Sequence, residues 1–248
     1  MAMRCSSSKP AINTERAGRP RVLLNLAITA DGKIATANRQ VITFGSRRDQ
    51  EHLYELRATV DAVMCGAQTL RETHATLNSG PARYRALRRR RGLPEQPLRV
   101  VVSNSASVPA NAPLWRRRGG PVVLLTTATA PATRLRRLSR LGAVPATFGR
   151  HAVDLAEALA WLRDTWNVRR LLCEGGGRLN AALFRAGLVD ELHLTICPLI
   201  FGGATAPSIA DGPWQVALSD AARAHLHSHR QHHDELFVVY HLAPTAGR

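Results

Sequence analysis

Apolar runs of strand length alternate with helical spacing along the first three quarters of the chain. RVLLNLAI (21–28), VDAVMCG (60–66), LRVVVS (98–103), PVVLLTT (121–127) and VRRLLCE (168–174) read as buried strands, and AVPATF (143–148) as a shorter one. Between them, Leu53, Leu56 and Val60 keep helical spacing behind a capping-box-like Ser46 and Asp49. Leu155, Leu159, Leu162 and Trp166 do the same behind Asp154 and Glu157. AQTLRET predicts a short helix. TRLRRLSRL (133–141) predicts another, with Leu135, Leu138 and Leu141 inward, and GGRLNAALFRAG a third, closed by Gly187. Residues 73–97, rich in Arg, Gly and Pro, read as a long loop. After residue 189 the alternation stops: VDELHLTICPLI (189–200) is strand-like, FGGATAP is a loop, and residues 224–242 form a closing hairpin. The pattern predicts an α/β fold whose mostly parallel sheet carries an antiparallel C-terminal hairpin and helices on both faces. One domain over residues 20–243 is expected, with tails at 1–19 and 244–248.

The apolar fraction of 45% permits a sizeable core, and no run reaches the ~18 residues of a membrane span. The N-terminus has no apolar central region of a secretory signal. Cys5, Cys65, Cys173 and Cys197 form no C-x-x-C pair, and three of them sit in strand-like runs, as reduced buried thiols do. A cytoplasmic protein without disulfides or structural zinc is expected. The charge of +16 attracts anions. Yet there is no zinc-finger spacing, no aromatic RNA-binding signature and no recognition helix, so specific nucleic-acid binding is not expected. A phosphorylated small molecule gains from the same field.

The candidate chemistry lies at strand ends. In CEGGGRLN (173–180) a strand runs through Glu174 into Gly175, Gly176 and Gly177 and then into a helix. Free N–H groups at a helix start, with no side chains in the way, suit a phosphate. A tight turn needing positive φ would also explain glycine. Three glycines behind a carboxylate favour ligand contact. The spacing is not G-x-G-x-x-G, which argues against a standard Rossmann site. CGAQT (65–69) repeats the arrangement with Gly66. Two such ends on neighbouring parallel strands suit a dinucleotide.

NLAITADGKIA (25–35), VITFGS (41–46), RATVDAVMCGAQTL (57–70) and EGGGRLNAALFRAGLVDELHLTICPLIFGG (174–203), in this order and followed by the hairpin, carry a resemblance. The chain resembles the reductase domain of bifunctional riboflavin-biosynthesis proteins, a domain similar in fold to dihydrofolate reductase. The resemblance implies an NADPH-dependent reductase, homodimeric, that reduces the ribosyl group of a 5-phosphoribosylaminopyrimidine by hydride transfer to C1′. It implies that Gly66, Thr69, Gly175, Gly176 and Gly177 hold the cofactor, with Ser103 and Thr126 nearer its adenosine end. Asn25, Asp31, Lys33, Thr43 and Glu174 would line the substrate side, with Lys33 and Glu174 as the catalytic pair. Plainer readings stand beside four of them: Asp31–Gly32 is also an ordinary turn pair, Lys33 a solvated turn lysine, Asn25 a partner for backbone groups inside the sheet, and Glu174 a helix-start cap.

The chain departs from that family in two ways. The H-x-E and P-C-x-x-C elements of the deaminase half are missing, which implies a stand-alone type. The family's acidic-Pro-x-Leu-Thr-x-Arg segment is rewritten as RETHATLNSGPARYR. Leu77 survives, but the acid, proline and arginine positions read Thr73, Ala75 and Gly80. Arg83 or Arg85 is then expected to supply the phosphate contact. A different substrate on the same fold and cofactor, and a basic non-enzymatic binding protein, remain as alternatives. Five histidines fall within residues 225–233, and an exposed polar hairpin tip rather than a metal site is expected there.

Overall fold

The computed structural model describes residues 18–39, 44–115, 119–212 and 216–243. Among them, nine strands form one sheet: β1 (Arg21–Thr29), β2 (Ala62–Gly66), β3 (Leu98–Val102), β4 (Val122–Thr126), β5 (Ala143–Thr147), β6 (Arg170–Cys173), β7 (Glu191–Cys197), β8 (Ala224–His232) and β9 (Glu235–Leu242). Their order across the sheet is β5-β4-β3-β2-β6-β1-β7-β9-β8. All pairings from β5 to β7 are parallel, and only β7–β9 and β8–β9 are antiparallel. The strands nearest the middle are buried on both faces, as apolar runs without alternation require.

Among the described residues, six α-helices flank the sheet: α1 (Arg47–Arg57), α2 (Ala67–Thr73), α3 (Ala82–Arg90), α4 (Ala132–Arg140), α5 (Leu155–Trp166) and α6 (Gly177–Arg185). On one face Leu24, Leu26 and Met64 pack with Leu155, Leu159 and Leu162 of α5 and Leu179 and Leu183 of α6. On the other, Leu23, Val63 and Val101 pack with Leu56 of α1, Leu70 of α2 and Leu138 of α4. Both faces are therefore covered, as the alternation predicted.

Three local expectations need correction. Residues 73–97 contain a helix, α3, begun at Pro81, and its inward positions are Tyr84 and Arg88. Arg88 is fully buried and donates to the carbonyls of Pro94, Arg57 and Val60, so the inward stripe was hidden behind an arginine. Leu141 does not point inward: α4 ends at Arg140, and Leu141 caps it at 37% exposure. The five clustered histidines are not a hairpin tip. Four lie on β8, whose residues are all exposed, and only His233 is in the turn. Among the described residues no group of three His, Cys, Asp or Glu side chains is placed to hold a metal. No described helix is long and apolar enough to cross a membrane.

Candidate active site

The C-terminal ends of β2, β6 and β1 open into a cavity of about 610 Å³, roofed by α1 and closed at the sides by α2 and α6. Its first wall is glycine. Gly66 ends β2 and is the N-cap of α2, and Gly176 is the N-cap of α6; neither brings a capping side chain. The Gly66 N–H donates to Gly175 O at 2.8 Å, which ties the two ends together.

The three glycines of residues 175–177 are bare for different reasons. Gly175 takes φ +86°, a region that glycine enters without strain. A Cβ on Gly176 would stand 3.2 Å from Thr69 Oγ1 across the cavity. A Cβ on Gly177 would meet Ser208 O at 2.5 Å and Asp211 Cβ at 2.9 Å, so this glycine is required by the protein's own loop. The result is a first turn of α6 that lines the cavity through Gly176, Gly177 and Arg178 without a side-chain cap. Unpaired N–H groups and the positive end of the helix dipole gather there.

The opposite wall is one stripe of α1: Asp49, Gln50, Leu53, Tyr54 and Arg57, spaced one helical turn apart. Ser46 caps this helix, its Oγ accepting from the N–H groups of Arg48 and Asp49. The reciprocal half of the predicted capping box is not supplied by Asp49. Glu235 of β9 accepts instead from Ser46 N at 2.7 Å and Ser46 Oγ at 2.5 Å, which leaves the Asp49 carboxyl at the cavity. Arg57, at the far end, donates from Nε and Nη2 to the two oxygens of Glu174 at 2.6 and 2.7 Å, and from Nη1 to Asn78 O. Arg57 is buried and Glu174 nearly so, with side-chain exposures of 7% and 11%. The Glu174 carboxylate is thereby held in a fixed orientation. Its charge, second only to burial as a cause, helps push the Cys65 thiol well above its usual range.

The floor holds Asn25 of β1, which is 8% exposed and whose Oδ1 has no hydrogen-bond partner. Asp49 is equally buried, and its Oδ1 is also unpartnered. Burial raises its pKa above the ordinary 3.8, the nearby Thr195 hydroxyl offsets this in part, and the negative Glu235 raises it further.

Of the residues singled out from sequence, Asn25, Gly66, Thr69, Glu174, Gly176 and Gly177 line this one cavity. Thr43 lies outside the described residues. Asp31, Lys33, Arg83, Ser103, Thr126 and Gly175 are not on its wall. Asp31 braces a turn: it accepts from Thr29 Oγ1 at 2.5 Å and from the N–H groups of Phe201 and Gly202, and the Thr29 contact leads in holding its pKa below 3.8. Lys33 pairs through its backbone with Ser208, beside the cavity-lining Ile34 and Ala35. Arg83 is spent on Glu51 and the Tyr84 hydroxyl. Ser103 and Thr126 stand at the same sheet edge, where Thr126 Oγ1 donates to Ser103 O and Ser103 Oγ accepts from Ser107 N.

The cations on the wall are Arg39, Arg57 and Arg178, none of which stood out from sequence. Nor did Asp49 stand out except as a cap. The available signal was polar residues, Asp49 and Arg57, on the stripe of α1 that faces the sheet.

Comparison with known proteins agrees with this architecture. The model of the RibD C-terminal domain matches residues 20–238. The 2,5-diamino-6-ribosylamino-4(3H)-pyrimidinone 5′-phosphate reductase of Archaeoglobus fulgidus is 34% identical over 194 residues, which is 78% of this chain and 87% of the relative. The enzyme of the same name from Methanothermobacter thermautotrophicus is 33% identical over 227 residues, covering 90% and 98%. Among solved structures, a pyrimidine reductase-like protein of Corynebacterium diphtheriae superposes with a TM-score of 0.75 at 21% identity, covering 90% of this chain and 92% of that one. RibD of Acinetobacter baumannii gives 0.74 at 20% identity, and there the chain covers 92% of itself but 59% of the longer protein. The extent of the domain match and the identity to the archaeal reductases place the chain in the RibD C-terminal domain family, among reductases of riboflavin biosynthesis.

Proposed function

We propose that this protein is an NADPH-dependent reductase acting on a 5-phosphoribosylaminopyrimidine, and that it works as a homodimer. The observation that carries the reading is the pairing, in one cavity, of an uncapped glycine-framed helix start with a buried polar wall on the opposite side. The first suits the diphosphate of a dinucleotide, because bare amides and a helix dipole stabilise anionic oxygens. The second suits a small polar substrate, because buried oxygens such as Asn25 Oδ1 are ordinarily satisfied by a partner.

A bound nicotinamide would supply a hydride to C1′ of the ring-opened ribosyl imine. In this reading Gly66, Thr69, Gly176 and Gly177 receive the cofactor, Gly175 shapes their turn, and the path continues toward Ser103 and Thr126. Asn25 and Glu174 face the substrate. Arg57 fixes Glu174 so that its charge meets the pyrimidine or sugar in one orientation, which is a positioning role. Arg39 and Arg178 replace Arg83 as the cationic partners for phosphate groups, and Lys33 has no part in this reading.

NADPH fluorescence titration at low salt, followed by NADPH oxidation with the phosphoribosylaminopyrimidine, tests this. Saturable binding below millimolar concentration and substrate-dependent oxidation are expected. Binding without oxidation would leave a reductase of another substrate, and no binding would leave a non-enzymatic protein on this fold.

A further inference from the structure

We propose that Asp49 is the acid of this site: its neutral carboxyl gives the proton that the imine nitrogen needs when C1′ receives the hydride. The proposal rests on the reductase reading above and adds to it the residue that completes the reaction.

The chemistry demands such a group. When the hydride bonds to C1′, the C=N π pair moves to nitrogen, and the nicotinamide leaves oxidised. The nitrogen must take a proton to become the amine, and the donor becomes a carboxylate that is reprotonated from solvent. Neither Lys33, the proton donor expected from sequence, nor Glu174, expected to bond the pyrimidine or orient the sugar, is well placed for it. Both oxygens of Glu174 are occupied by Arg57, and Lys33 is not on the cavity wall.

Asp49 meets the structural requirements. It lines the cavity on the wall facing the glycines, on the substrate side of the proposed cofactor path. The residue is 8% exposed and its carboxyl Oδ1 is buried and unpartnered, whereas every other acid of α1 is paired with an arginine. The helix does not need it as a cap, since Glu235 has taken that place. Glu235 from β9 and Cys197 from β7 face it from the sheet, and the Arg57–Glu174 pair faces it from the same cavity. No cation forms an ion pair with it among the described residues, and burial, partly offset by the Thr195 hydroxyl of β7 and reinforced by Glu235, shifts it toward its protonated form. Asn25 Oδ1, unpartnered in the same cavity, is an acceptor able to fix the substrate beside it.

The test combines Asp49→Asn with Glu235→Gln and uses a readout independent of turnover. In wild-type protein carrying ¹³C-carboxyl aspartate, a protonated carboxyl signal is expected at neutral pH and is expected to vanish in Asp49→Asn. NADPH binding by fluorescence should be unchanged in Asp49→Asn, while single-turnover reduction falls by roughly 100-fold or more. Wild-type rates should decline as pH rises through the Asp49 titration, and Glu235→Gln should move that decline to lower pH. Asp49→Asn rates within threefold of wild type with the same pH profile would overturn the proposal, as would a labelled Asp49 that is ionised throughout the neutral range. Wild-type protein that fails to bind NADPH would sink the reductase reading instead, and the ligand-free carboxyl measurement would still decide whether Asp49 holds a proton.

Discussion

Arg57 grips both oxygens of Glu174 across 117 residues of sequence, at 2.6 and 2.7 Å, and so locks the end of α1 to the end of β6. The pair is nearly dry, with side-chain exposures of 7% and 11%. Its geometry is the bidentate one that gives a guanidinium its strongest contact with a carboxylate.

Breaking that pair from either side leaves one buried charge alone. Arg57→Ala and Glu174→Ala are each expected to lower stability by about 3–5 kcal/mol, and the double variant by clearly less than the sum. Urea unfolding followed by far-UV circular dichroism measures all three. Losses below about 1 kcal/mol would show that water reaches the pair.

Neighbouring glycines should behave differently. Gly176→Val places a branched side chain beside Thr69 at the cavity and is expected to abolish NADPH binding while leaving the fold intact. Gly177→Ala collides with the backbone of Ser208 and should instead cost stability, by about 1–3 kcal/mol, as overpacking does. Thermal unfolding and fluorescence titration separate the two outcomes, and normal NADPH binding by Gly176→Val would refute the cradle.

Acid should unfold the protein in two stages. Burial first, and then the neighbouring His193, hold the His52 pKa down from 6.5 to about 4. The unfolded chain therefore binds the extra proton, so stability present above pH 6.5 is lost as pH falls toward 4, by up to about 3 kcal/mol. Glu191 follows. Burial works against its charge, but the His193 hydrogen bond and Arg21 outweigh it and hold its pKa at about 2, so its contribution is lost only as pH falls from 4.5 toward 2. His52→Gln should flatten the stability profile between pH 4 and 6.5 and leave the lower stage. An unchanged slope there would assign the first stage to other groups.

Arg88 should tolerate no replacement. Its guanidinium serves three carbonyls in full burial, and burial brings its pKa down from 12.5 to about 10. Lysine cannot reproduce that fork, and Arg88→Lys is expected to cost about 2–4 kcal/mol by leaving buried carbonyls unpaired. The exposed Arg83→Ala should stay within ±0.5 kcal/mol. Comparing their urea midpoints decides the matter.

Backbone architecture was readable because apolar runs such as VMC in β2 and LLC in β6 have one solution, a strand buried on both faces. The glycine wall was readable for the same kind of reason: few uses exist for three bare residues between a strand and a helix. What escaped was wherever a polar residue took an apolar role. Arg88 hid α3 because its inward position carries a charge, and its carbonyl partners are spread over residues 57–94. Asp49 looked like half of a capping box because its rival, Glu235, is 186 positions away. Asp31 and Lys33 looked like site residues because their motif is distinctive, yet the contacts described for them build the turn beside the cavity.

The Ser46–Glu235 contact joins positions 189 residues apart, and it closes the start of the helix that roofs the cavity. A chain growing from its N-terminus makes the first helix early but cannot seal it until the turn between β8 and β9 has brought in the last strand. The binding chamber is therefore among the last parts to be finished: before β9 arrives, the seven strands from β5 to β7 can pair, but β8 has no strand to join and the roof stays open.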